Sequence, residues 1–392
     1  MRADFRFTPL LAILLSMAAG LVFASSTQET EVSEGTQPSN PTAASHHEEN
    51  QIATTRPTKQ RGVSWVAGRP VAAEDFDSLV TNQVNWIVQT PFGWQRTIDS
   101  TTIRLATNGN VFWGETDEGL RVTAELARAR GIHTLLKPHI WIMRGGGWRG
   151  EIEMKSDEDW DEWFAQYEQF ILHYAKLAEQ NNIEALCIGT ELHNTLKYHE
   201  KKWRNVIAQI RKVYHGSLTY AANWYKEYEE IPFWDALDNI GIQAYFPLVD
   251  SDSDSDSTTI EDLKKSWDRH LRAIEKVHVK YNKPVIFTEI GYRSTTKAAR
   301  EPWSWPQRGK KRDEVDLQLQ KRCYQAFFET AWQEPWMTGV YFWKWFPHQA
   351  RAGGESSDGF TPQNKPAEIV MRKWFTDSAQ LATSAPQSSH DQ

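Results

Sequence analysis

The chain has 392 residues, 40% of them hydrophobic and 24% charged, a composition that excludes an integral membrane protein and a wholly disordered chain. A formal net charge of −7 argues against a nucleic-acid binder that relies on a broad basic surface. The length suits one barrel-sized domain with accessory segments. The outlier is aromatic content: 19 Trp stand beside 12 Tyr and 17 Phe, enough flat apolar faces both to pack a core and to stack on a flat, amphipathic ligand.

The chain opens with Arg2 and Arg6, runs apolar from Pro9 to Ala24 and then turns polar. That apolar run is shorter than the roughly 20 residues a spanning helix needs. Small residues Val22 and Ala24 precede Ser25 at cleavage-site spacing, so residues 1–24 read as a secretory signal peptide, with an uncleaved anchor as the alternative. The expected location is therefore secreted or periplasmic, with no stable membrane insertion after cleavage. Residues 25–59 are rich in Ser, Thr, Pro and Glu and read as a disordered linker; residues 377–392 read as a disordered tail. His46, His47, Glu48 and Glu49 belong to the solvated linker. Cys187 and Cys323 lie in apolar patterns and read as buried small hydrophobes, too few for a disulfide framework or a zinc site.

Between residues 60 and 376, eight short runs rich in β-branched and aromatic residues recur: 62–66, 85–91, 133–141, 185–192, 218–224, 239–246, 284–292 and 338–346. Helical periodicity fills the intervals 117–131, 157–180, 200–216, 259–281 and 316–333, with weaker patterns in AEDFDSLVTN, EEIPFWDALD and PAEIVMRKWF. Gly131 ends the first of the clear helices, and Ser156 with the acids that follow it opens the second. Eight such units predict an α/β fold, a (β/α)₈ TIM barrel forming a single catalytic domain over 60–376. A doubly wound sheet would need a nucleotide fingerprint after an early strand, and Gly145–Gly146–Gly147 lacks that context.

The active face of this barrel is the carboxyl end of its strands. Two of the predicted strands carry a glutamate there, Glu191 in the fourth and Glu289 in the seventh. A carboxylate on a buried strand is costly unless it points into a site or is paired. Either one alone is open to reading as a structural ion pair; two at strands four and seven suit glycoside hydrolysis, in which one acid protonates the leaving oxygen and the other attacks or activates water. Trp65, Trp94, Trp141, Trp224, Trp343 and Trp345 fall at or after strand ends, where sugar C–H faces would stack, and packing is the competing role for each. Lys137, His139 and Trp141 alternate onto one face of the third strand. Asn223 is a further candidate for holding hydroxyls, and Tyr245 for hydrogen-bonding Glu289.

The motifs GTE at strand four, TEIGYRS at strand seven and FWKWFP at strand eight, with KPHIWI, TYAANW and WDALDNIGIQAYFPL, resemble glycoside hydrolase family 113 over nearly all of residues 61–347. The resemblance implies a retaining (β/α)₈ β-glycosidase acting on β-1,4-mannan and manno-oligosaccharides, with Glu191 matching the acid/base and Glu289 the nucleophile. One departure is Thr190, where many members of the wider clan carry Asn before the acid/base. The expected partner is an oligo- or polysaccharide, and the expected cofactor is none. Another specificity, for β-glucan or β-galactan, and a non-catalytic carbohydrate-binding barrel are the alternatives. Residues 250–261 (DSDSDSDSTTIE) approach calcium-loop spacing, but Ser255 stands where that loop needs Gly, so a solvated acidic loop and no metal are expected. The basic, Trp-bearing stretch 297–314 follows strand seven and could overhang the cleft or lie on the surface.

Overall fold

The computed structural model of the protein describes residues 58–105, 111–250, 258–305 and 312–383. The signal-like segment, most of the linker before Lys59, and the acidic run 251–257 lie outside them, as do 306–311 and the tail beyond Thr383.

In chain order the elements are β1 (Gln60–Trp65), α1 (Asp77–Thr81), β2 (Trp86–Gln89), β3 (Phe92–Gln95), β4 (Ile103–Leu105), α2 (Asp117–Ala129), β5 (His133–Leu136), β6 (His139–Ile142), α3 (Asp157–Gln180) and β7 (Ala185–Thr190). They continue as α4 (His193–Leu196), α5 (Glu200–Arg211), β8 (Ser217–Asn223), α6 (Glu227–Glu230), β9 (Asn239–Gln243), α7 (Ile260–Tyr281), β10 (Val285–Ile290), α8 (Leu317–Glu329), β11 (Met337–Trp345) and α9 (Pro366–Thr383). Eight parallel strands close a barrel in the order β1-β11-β10-β9-β8-β7-β5-β2. All eight strand regions read from the sequence contribute to it.

Burial explains why these strands read as continuous apolar runs. Every residue of β7 and β10 is buried, because one face meets the barrel interior and the other the helices. Val88, Leu135, Cys187, Ala221, Ile286 and Tyr341 form a small inner cluster, and a much larger apolar layer lies between barrel and helices. Both cysteines are free and buried. Helix starts follow local chemistry: the hydroxyl of Ser156 accepts the Asp159 N–H at 3.1 Å at the head of α3, and Thr259 with Asp262 forms a capping box on α7.

Three departures from the sequence reading have physical causes. The third predicted strand is split, so Lys137 directly follows the barrel strand β5 while His139 and Trp141 lie on β6, in a separate three-stranded sheet ordered β4-β3-β6. Pro138 has no N–H to give the ladder, so the pairing breaks there; Pro91 divides β2 from β3 in the same way. The stretch EEIPFWDALD forms only the end of the one-turn α6 and a 3₁₀ turn at Trp234–Ala236, because Pro232 interrupts it. Finally, α9 runs on to Thr383, past the boundary expected at 376. Trp374 stacks on Phe328 at 5.8 Å, and the Trp332 indole donates to the Ser378 hydroxyl at 3.0 Å, so tertiary contacts extend a helix whose sequence has turned polar. No helix among the described residues is long and apolar enough to cross a membrane.

Candidate active site

Glu289 and Glu191 both project from the carboxyl end of the barrel, and their surroundings differ. Glu289, on β10, is 5% exposed. Its Oε1 is in direct contact with the Lys137 ammonium, and its Oε2 accepts the Tyr245 hydroxyl at 2.7 Å. Lys137 is fully buried and also donates to Gln243 Oε1 at 2.9 Å and the Thr288 carbonyl at 3.3 Å, so its charge is well satisfied. His139 Nε2 stands 3.9 Å from Glu289 Oε1. Burial, reinforced by the positive Arg149 and Lys137, holds the imidazole well below its usual range, so it faces Glu289 as a neutral ring and not as a second cation. Burial and then the charge of Glu289 push the Tyr245 phenol well above its ordinary value, which keeps it a proton-bearing donor. The charge of Glu191 adds to that rise, so one phenol lies within the field of both carboxylates.

Glu191 is the first residue after β7 and takes a left-handed backbone at φ 52°. A non-glycine residue there costs about 1–3 kcal/mol and needs surrounding contacts to hold it. Its N–H reaches the Ala221 carbonyl on β8 at 2.9 Å, and the following N–H, of Leu192, donates to the Tyr220 hydroxyl at 2.7 Å. The side chain accepts from Asn223 Nδ2 on Oε1 at 2.9 Å, and from Arg149 and the Trp148 indole on Oε2 at 3.1 and 3.2 Å. Arg149 is itself tied to the Ile140 carbonyl on β6 at 3.0 Å. Gly150 makes room for Trp148: a Cβ there would lie 2.2 Å from the indole ring.

Aromatic side chains wall this mouth. Trp94 on β3 and Trp141 on β6 are half-buried neighbours at 6.4 Å, both packed against Phe92. Trp224, after β8, stacks on Trp303 at 5.0 Å. Trp343 stands edge-on to Trp305 at 6.3 Å, and the Trp343–Lys344 peptide is cis. The Lys344 ammonium lies 5.2–5.6 Å from the rings of Trp305, Trp343 and Phe346. Burial lowers Lys344 to about 8, against the opposing charge of Glu289.

Two of the tryptophans expected at the site belong to the packing instead. Trp345 is fully buried and its indole donates to the Ser78 hydroxyl on α1 at 3.2 Å, in the layer outside the barrel. Trp65 is 4% exposed and stacks on the buried Phe76 at 4.8 Å. Alternation would put Trp343 and Trp345, two apart on β11, on one face; the β1–β11 register shifts between Phe342 and Trp345, and the extra residue there turns Trp345 onto the helix layer. The structure brings Lys137, His139, Asn223 and Tyr245 onto the two carboxylates. Residues that sequence reasoning missed are Trp148, Arg149, Tyr220, Glu227, Gln243 and Lys344. Only Gln243 carried a usable signal, since it shares a strand face with Tyr245 two residues on. No group of three or more His, Cys, Asp or Glu able to hold a metal occurs among the described residues.

With the geometry in place, comparison with known proteins decides the family. The model of Glycoside Hydrolase Family 113 matches residues 58–365. The chain belongs to that family. It is a glycoside hydrolase. Its fold is similar to the GH113 β-mannanase AaManA from Alicyclobacillus acidocaldarius in complex with ManMIm, at 27% identity and TM-score 0.69, over 83% of this chain and 100% of that one. A GH113 β-1,4-mannanase in a complex structure matches at 28% identity and TM-score 0.66, over 81% of this chain and 99% of that one. A β-glucuronidase from Ruminococcus gnavus shares only the fold with this family 113 barrel, at 13% identity and TM-score 0.52 over 82% of this chain and 50% of that one. No curated protein matches the chain.

Proposed function

We propose that this family 113 hydrolase is an exported β-mannanase that cleaves β-1,4-linked mannan or manno-oligosaccharides with retention, Glu289 acting as nucleophile and Glu191 as acid and base. The observation that carries the assignment of roles is the contrast between the two carboxylates. Glu289 meets a buried ammonium and a phenol, which compensate an ionised carboxylate and aim it. Glu191 is the more exposed of the two, held on Oε1 by a neutral amide and on Oε2 by Arg149, itself 15% exposed where Lys137 is wholly buried, an arrangement more compatible with a group that gives up and regains a proton.

In the first step Glu289 attacks the anomeric carbon while Glu191 protonates the departing oxygen. In the second, Glu191 takes a proton from water, which releases the sugar from Glu289. With Oε1 committed to Asn223, the mobile proton is carried on Oε2. Trp148 and Arg149 are the side chains that meet that oxygen and hold its position. Trp94, Trp141, Trp224 and Trp343 offer half-buried faces to sugar rings, and the mannanase neighbours support mannan as the glycan. Retention requires carboxyl groups about 5–5.5 Å apart, inversion about 6.5–9.5 Å.

Digestion of mannohexaose, followed by proton NMR of the first anomers released, tests substrate class and stereochemistry together. Early β-anomer that is absent with Glu289→Gln is expected. Early α-anomer would refute retention, and cleavage of β-glucan or β-galactan in preference to mannan would replace the substrate. Export is proposed from residues 1–24, and a mature exported protein that begins at Ser25 is expected from N-terminal sequencing.

A further inference from the structure

Glu227 opens α6 and is fully buried, yet no lysine or arginine among the described residues pairs with it. Its oxygens accept from two donors, the Tyr220 hydroxyl on Oε1 at 2.6 Å and the Asn223 backbone N–H on Oε2 at 2.9 Å. A buried carboxyl without a cation is costly. Burial pushes this one up to about 8 despite both hydrogen bonds, and the charge of Glu191 adds to the rise.

Both donors lead to Glu191. Tyr220, having turned its proton toward Glu227, accepts the N–H of Leu192 at 2.7 Å, the peptide that follows the left-handed Glu191. Asn223, whose backbone Glu227 holds, donates Nδ2 to Glu191 Oε1 at 2.9 Å, and its own Oδ1 accepts the Tyr225 N–H at 2.8 Å, which sets the direction of the amide. The circuit Glu191–Asn223–Glu227–Tyr220–Leu192 is closed and buried throughout. A local role in shaping the one-turn α6 would account for the Asn223 contact alone; the Tyr220 arm runs to the peptide after Glu191.

We propose that Glu227 is a positioning residue for Glu191, fixing through Tyr220 and Asn223 the orientation in which Glu191 meets the glycosidic oxygen. This rests on the reading of Glu191 as the proton donor.

The test compares kcat/KM on mannotetraose, whose leaving group needs a proton, with kcat/KM on dinitrophenyl β-mannoside, whose leaving group does not. Glu227→Ala is expected to lower the first on the order of 10²-fold and the second by less than about threefold, the difference being the lost proton transfer. Glu227→Gln retains an acceptor for the Asn223 N–H and is expected to recover most of the loss. An equal loss on both substrates overturns the proposal, because a smaller folded fraction lowers both alike. Should Glu227→Ala fail to fold, Tyr220→Phe removes only the hydroxyl and carries the same test, and the absence of a split there overturns the proposal too. Glu191→Ala, assayed alongside, separates the two possible failures. If it shows no split, the reading of Glu191 as proton donor falls. If it splits the substrates and neither Glu227→Ala nor Tyr220→Phe does, only the role of Glu227 falls.

Discussion

Lys137 offers the sharpest perturbation of the site. Its ammonium has no exposure and contacts Glu289, whose side chain is 6% exposed, so Lys137→Met leaves a carboxylate buried without its cation while nearly conserving side-chain volume. Removing one member of a buried pair costs about 3–5 kcal/mol, because the remaining charge stays desolvated. For a domain of this size each kcal/mol moves Tm by about 2 °C, the low end of the usual range, so the variant is expected to melt about 6–10 °C below the wild type at pH 7. Gln243 and the Thr288 carbonyl lose a donor as well, which adds to the loss. Activity falls further than stability, since displacing Glu289 by about 1 Å costs about 10²-fold in rate. Adding Glu289→Gln removes the stranded charge, and the double variant is expected to recover at least half of the lost Tm. Circular dichroism melts of wild type, both single variants and the double variant complete the cycle. A Lys137→Met protein that melts with the wild type, or a double variant whose loss is the sum of the singles, would refute the argument from the buried pair.

Gly150→Ala places a Cβ 2.2 Å from the Trp148 ring, so the indole moves off Glu191. Impaired turnover with Tm lowered by only about 2–4 °C, the equivalent of about 1–2 kcal/mol, is expected; unchanged kinetics would show that the Trp148 contact is idle. Among the described residues the Lys344 ammonium faces rings and no hydrogen-bond acceptor, and burial lowers its pKa to about 8. KM for mannan is expected to climb as pH rises through that value, and Lys344→Met to raise KM at lower pH and abolish the inflection; a persisting inflection assigns it to another group. Glu227 is raised to about 8 from an ordinary 4.5. Between those values the folded state binds more protons than the unfolded one, so stability falls as pH rises through the window, at up to about 1.4 kcal/mol per unit. Glu227→Gln should flatten that part of the stability curve measured by denaturant unfolding, and an unchanged slope would place the titration elsewhere.

The barrel was legible because its signals are local. Strands buried on both faces must be apolar throughout, helices with one buried face must repeat near every third or fourth residue, and their alternation leaves little choice of architecture. The two glutamates were legible for a related reason: a carboxylate at the end of such a strand contradicts its surroundings, and contradictions of that kind mark sites. Pro138 was visible, yet its consequence was not, because the partner that β6 takes, β3, lies 47 residues earlier in the chain. The same limit applies to Trp343 and Trp345. Their chemistry is identical and their spacing alike, and only the closing of β11 against α1 places one beside the cleft and buries the other against Ser78.

The surroundings of Glu191 show the limit most clearly. Arg149 arrives from a glycine-rich loop with no periodic signal, and Glu227 stands just before the weak helical pattern that begins at Glu229, with no strand-end signal of its own. Its burial depends on Tyr220 and Asn223 closing over it from β8. Residue identity and periodicity determine which segments can be strands, helices or reactive groups, since those depend on neighbours along the chain. Which of those groups share a hydrogen bond, and which carboxyl is left without a cation, depends on neighbours in space that only barrel closure supplies.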